Sequence, residues 1–183
     1  MAANNIITLY HGTTHDFTEI DVSRGKPFKD FGQGFYATQS RESAVNMALR
    51  NRNIELRRLK RRGISREVTP WLFTFELDES KLEALNVKRF DGADKEWVRF
   101  IVLNRTNEMP QHEYDVVIGA TANDVASRTA QLYMAGEYGD VDSDEAVEFF
   151  LRRMQPERLP RQFFFRTRRA ANLLVSKGRR VVK

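Results

Sequence analysis

An α+β domain is the fold class that the sequence predicts, and three observations predict it. Short β-branched and aromatic runs alternate with longer stretches of helical spacing, each opened by a capping residue. Neither an internal repeat nor a linker of domain-separating length interrupts the chain. Its 183 residues, 41% of them hydrophobic, suffice for one core but not comfortably for two. A single domain over residues 1–183 is therefore expected.

The elements follow in order. Ile6 to Tyr10 is β-branched and aromatic and stops at His11-Gly12, which reads as a strand. Residues 13 to 31 carry Gly25 and Pro27 among scattered charges and read as loop. A second short strand fits Gly34 to Thr38, with Phe35 turned to the core and Tyr36 to a cleft. Ser40 is a good N-cap for a helix through Ala44, Met47 and Ala48 that ends by Gly63. Trp71 to Leu77, after Pro70, reads as a buried strand, and Asp78 and Ser80 cap a turn. Lys95 to Leu103 reads as a short helix with Trp97, Phe100 and Ile101 on one side. Tyr114 to Gly119 is a further strand, followed by helices over 125–135 and 143–154, the latter ended by Pro156 and Pro160. Arg161 to Thr167 reads as a strand, and Arg169 to Ser176 as a last helix.

Composition bounds the function. No apolar run approaches the eighteen or so residues of a membrane span. The first residues lack the basic and apolar regions of a secretory signal, so a cytoplasmic protein is expected. The absence of cysteine excludes disulfides and thiolate metal sites. Three scattered histidines suggest no metal site either. The net charge of +5 is concentrated: Arg50 to Arg66 holds eight cations against the acid Glu55, and a second basic group closes the chain. Such a cluster is either a solvated helix face or a surface for nucleic acid.

Two segments carry the chemistry. In Tyr10-His11-Gly12-Thr13 an imidazole meets a glycine at a strand end, where a ligand could reach backbone N–H and C=O. In Gly32-Gln33-Gly34-Phe35-Tyr36-Ala37-Thr38 a phenol follows two glycines. Together they could cradle a flat, polar, hydrogen-bonding group such as nicotinamide. Ala37 stands where a dinucleotide fingerprint needs its last glycine, so a Rossmann reading is weak.

Leu9-Tyr10-His11-Gly12-Thr13, followed by Phe31-Gly32-Gln33-Gly34-Phe35-Tyr36-Ala37-Thr38 and a helix with Ser40 and Ala44, resembles the ADP-ribosyltransferase superfamily. The likeness is to its histidine–tyrosine branch, which includes diphtheria-type toxins and poly(ADP-ribose) polymerases. Further matches are Lys29-Asp30-Phe31-Gly32, Trp97 before Asn104-Arg105, Tyr114 to Gly119, Ala122-Asn123-Asp124, and Gln162 before Phe163-Phe164-Phe165. They suggest a bacterial and phage family of that fold. The resemblance implies two short mixed β-sheets that form an NAD cleft between flanking helices. It further implies a mono-ADP-ribosyltransferase with NAD as co-substrate, in a toxin or phage-defence setting.

Carried over by position, the resemblance makes His11, Tyr36 and Gln162 the catalytic set. His11 would bind the adenosine ribose, Gly12 would clamp the nicotinamide amide, and Tyr36 would stack on its ring. Ser40 would open the helix behind that pocket, in contact with the ribose. Thr13, Gly34, Phe35, Asp30, Asn123 and Asp124 complete the implied cofactor-binding set. Breaking the nicotinamide–ribose bond builds positive charge on the sugar, which fixed polar groups can stabilise. The family's third residue is a Glu, Asp or Gln; a glutamine accepts a ribose hydrogen bond but takes no proton. The acceptor's base is then its own nucleophile or another carboxylate, Asp124 or Asp30. The implied partner is a protein or nucleic-acid acceptor, for which Arg50–Arg66 offers a contact, together with an antitoxin. The alternatives are a non-catalytic NAD- or ADP-ribose-binding module that docks on nucleic acid, or an NAD glycohydrolase.

Overall fold

A computed structural model describes residues 5–122 and 125–183. The chain forms a mixed α+β structure. Among the described residues, seven strands join in one sheet: β1 (Ile6–Thr13), β2 (Phe35–Thr38), β3 (Trp71–Asp78), β4 (Val87–Arg89), β5 (Val116–Ala120), β6 (Arg161–Phe165) and β7 (Val175–Val181). The helices are α1 (Arg41–Arg61), α2 (Lys95–Thr106), α3 (Ala126–Met134), α4 (Asp144–Met154) and the single turn α5 (Arg168–Ala171). The strand order is β4-β5-β6-β2-β1-β3-β7, with β4 and β5 parallel and every other pair antiparallel.

One continuous sheet replaces the two short sheets expected. Its continuity is nevertheless uneven. β1 and β3 pair over eight positions, from Ile6–Asp78 to Thr13–Trp71, whereas β1 and β2 meet at the single pair Tyr10–Thr38. Continuing that register would set Gly12 opposite Tyr36 and Thr13 opposite Phe35, but the strands part there. The halves β4-β5-β6-β2 and β1-β3-β7 thus share a single ladder pair.

Strand alternation builds a core on each face. Phe163 and Phe165 join Leu9, Phe35, Phe73, Phe75, Val116 and Ile118 on one side. Phe164 joins Phe31, Trp97, Ile101, Tyr133 and Phe150 beneath α2, α3 and α4 on the other. The caps that hold the helices are the ones their sequences offer. Ser40 Oγ accepts from the Ser43 amide, Asp94 from Trp97 and Ser143 from Ala146.

Two expectations need correction. β1 does not end at Tyr10 but continues through His11, Gly12 and Thr13, because β3 pairs with it along its whole length. The expected helix over 169–176 is one turn, after which the chain turns and Val175–Val181 pairs with β3 as an exposed edge strand. Tertiary pairing overrides local helical spacing here, and the polar edge residues suit a strand with solvent on its free side.

Candidate functional site

His11 sits where β1 and β2 part. Its Nδ1 lies 2.7 Å from the Tyr36 carbonyl oxygen. A carbonyl only accepts, so Nδ1 carries the hydrogen and Nε2 keeps an acceptor lone pair. The ring packs on Phe35, with centroids 4.5 Å apart, and meets the edge of Phe17 at 6.0 Å. Burial in this aromatic nest lowers its pKa to about 4, against the opposing pull of the Tyr36 carbonyl. The imidazole is therefore neutral near pH 7.

Tyr36 occupies the other face of the sheet. Its hydroxyl donates to the Gly32 carbonyl at 2.7 Å and accepts from the Phe31 amide at 3.0 Å. The phenol thus closes the turn that leads into β2, and its ring contacts Phe164 at 4.9 Å. Burial, with the Asp30 charge second, raises its pKa well above the ordinary value. Phe35 points the opposite way into the core, as alternation predicts. Imidazole and phenol ring do not share one cradle; they meet only through the Tyr36 backbone.

Two of the three motif glycines, Gly12 and Gly34, answer to packing. A Cβ on Gly12 would lie 1.7 Å from the Ala44 carbonyl oxygen and 2.9 Å from the Ala48 nitrogen, so only glycine lets α1 lie this close to β1. A Cβ on Gly34 would meet the Phe164 ring at 2.4 Å. Thr13 is buried and accepts from the His15 amide at 3.2 Å. Ser40 spends its hydroxyl on the α1 cap, at 3.1 Å from the Ser43 amide and 2.9 Å from its hydroxyl.

Gln162 stands on β6, between Thr38 of β2 and Gly119 of β5, on the same face as Tyr36. Its Nε2 donates to Asp30 Oδ2 at 2.7 Å, and because a carboxylate only accepts, this bond fixes which end of the amide is which. Asp30, 4% exposed, is the organising residue. Its Oδ1 accepts from Arg105 Nε at 2.8 Å and from the same guanidinium's terminal nitrogen at 2.6 Å. Its Oδ2 also takes the Ala122 amide at 2.9 Å. Four donors occupy its lone pairs, which leaves Asp30 a scaffold rather than a base. Arg105 then reaches Ser127 of α3 at 2.9 Å, tying α2, α3, β6 and the loop before β2 together. His112 buttresses that loop from behind: Nε2 bonds the Phe31 carbonyl at 2.9 Å and Nδ1 accepts from the Tyr114 amide at 3.2 Å.

The structure thus groups His11, Gly12, Thr13, Phe35 and Tyr36 around the β1–β2 opening, and Asp30 with Gln162 beside it. Asn123 and Asp124 lie outside the described residues. The Arg105–Asp30 pair was not assigned from sequence. A signal exists, since Arg105 follows Val98 and Ile101 on the apolar stripe of α2, and a cation there needs a buried anion. Among the described residues, no group of three His, Asp or Glu side chains could hold a metal, and no helix is long and apolar enough to cross a membrane. A surface groove of about 420 Å³ lined by Lys88, Phe100, His112 and Tyr114 lies behind the Asp30 loop.

A family model described as a protein of unknown function (DUF3990) matches residues 7–175, and the chain belongs to that family. No curated protein and no solved structure matches the chain.

Proposed function

We propose that this DUF3990 member is an NAD-dependent mono-ADP-ribosyltransferase of ADP-ribosyltransferase-like fold, acting as a toxin or defence effector on a macromolecular acceptor. The observation that carries the reading is the parting of β1 from β2 at Gly12 and Tyr36. Two strands that share a sheet normally pair through their length; here they separate at the residues of the two motifs, with His11 inserted between them.

The chain's own groups fit NAD. The acceptor lone pair of neutral His11 Nε2 suits a ribose hydroxyl, which donates. Gly12 supplies main-chain groups for a carboxamide. The Tyr36 hydroxyl is committed to Gly32 and Phe31, so the part Tyr36 takes in binding falls to its ring, which packs on Phe164. Asp30 takes one amide hydrogen of Gln162 and so orients its carbonyl oxygen, the acceptor for a second ribose hydroxyl. NAD, when bound, supplies the ribosyl group and the nicotinamide leaving group. These residues orient it and hold polar groups where charge develops on the sugar.

Incubation of the purified chain with labelled NAD and total cell protein or RNA tests the proposal. Label on an acceptor, with release of nicotinamide, is expected; neither label nor nicotinamide would sink it. A second reading rests on Asp30 and Gln162. With Asp30 saturated and a glutamine in third place, the site has no assigned base, as suits a module that binds NAD or ADP-ribose without turnover. Calorimetry distinguishes the two: tight NAD binding with no nicotinamide release favours the module.

A further inference from the structure

The longest helix presents a basic outer face. α1 spans 21 residues, about 31 Å at 1.5 Å per residue. At 3.6 residues per turn, Arg50, Arg57 and Arg61 fall within about 40° of one another. Ala48 and Leu59, both buried, lie on the opposite side. Glu55 pairs, among the described residues, with Arg58 and Arg66, at 3.8 and 3.7 Å. Among the described residues, Arg52, Arg57, Lys60, Arg61 and Arg62 make no ion pair.

We propose that the outer face of α1, along Arg50, Arg57 and Arg61, is a docking track for nucleic acid, the acceptor class of the proposed transferase. The inference rests on that transferase reading. Nucleic acid fits better than an acidic protein surface because protein interface cores are depleted of charge, whereas this face is dominated by arginine. Guanidinium forks suit phosphate oxygens, and a row of them suits a backbone of repeated phosphates.

Fluorescence anisotropy with labelled single-stranded RNA, single-stranded DNA and duplex DNA of ~20 nucleotides, across ~50 to ~200 mM salt, tests the track. Arg57→Glu/Arg61→Glu is expected to weaken binding by about tenfold or more and to lower the salt slope by about 1.4 on a single strand. Arg57→Gln/Arg61→Gln, which keeps good helix formers, should lower the slope in the same way. Lys177→Glu/Arg180→Glu on β7 should change affinity by less than about twofold at fixed salt. Loss confined to the β7 pair, equal loss in both pairs, or no salt-dependent binding by the native chain would overturn the track. So would tighter capture of polyglutamate than of any nucleic acid, which would point to a protein acceptor. Calorimetry with NAD on the same preparations separates the two ideas. Retained NAD binding in the α1 variants isolates docking, whereas nucleic-acid binding without NAD binding or turnover overturns the transferase reading and spares the track.

Discussion

His11 donates its Nδ1 hydrogen to the backbone carbonyl of Tyr36, 2.7 Å away, across the place where β1 and β2 stop pairing. One side chain takes the part of a ladder bond and ties the two motifs together. The bond also fixes the tautomer, so the functional face of the imidazole is Nε2.

A pH dependence follows. The folded pKa of His11, about 4, lies below its unfolded value of 6.5, so the unfolded chain binds a proton that the folded chain resists. Stability is unaffected above about pH 6.5 and falls as the pH drops toward 4. After discounting for partial exposure, the loss amounts to roughly 2–3 kcal/mol. Urea unfolding at pH 7 and pH 5 should show roughly 1–2 kcal/mol of this loss in the native chain and a smaller one in His11→Gln.

Asp30→Asn is expected to be severe. It removes the anion from an ion pair whose side chains are only 6% and 14% exposed, leaving Arg105 buried without a counter-charge. The cost should be about 3 kcal/mol or more, read as a lower urea midpoint. Arg105→Lys keeps the charge but loses the fork, and should cost less.

Tyr36→Phe separates the hydroxyl from the ring. Losing the bonds to Gly32 and Phe31 should cost about 1–2 kcal/mol. The ring face that the proposed stacking needs remains, so NAD binding should persist in calorimetry. Tyr36→Ala removes ring and hydroxyl together and should abolish labelling; activity that survives it would count heavily against the site.

Gly12→Ala tests packing rather than chemistry. The new methyl would strike the backbone of α1 at Ala44, so helix or strand must move. A loss of at least about 2 kcal/mol is expected in thermal or urea unfolding, typical of overpacking or worse. An Ala variant as stable as the native chain would contradict the close approach of α1 to β1.

Much of the scaffold was legible in the sequence because it rests on local rules. The spacing of Ala44 and Ala48 marks α1, Ser40 and Ser143 announce helix starts, and the alternation of Phe35 with Tyr36 assigns their faces. By itself the sequence also determined the family-like order of motifs and the density of cations on α1. The tertiary structure alone decided what depends on distant partners. β7 replaced a helix because β3 offered an edge, and Asp30 became a scaffold because Arg105, Gln162 and Ala122 converge on it from 75, 132 and 92 residues away. The packing demand on Gly12 and Gly34 was likewise invisible, since no local pattern tells which backbone or ring will press on a missing Cβ. The break between β1 and β2 belongs to the same class: pairing is a property of two strands in space, and neither strand's sequence states it.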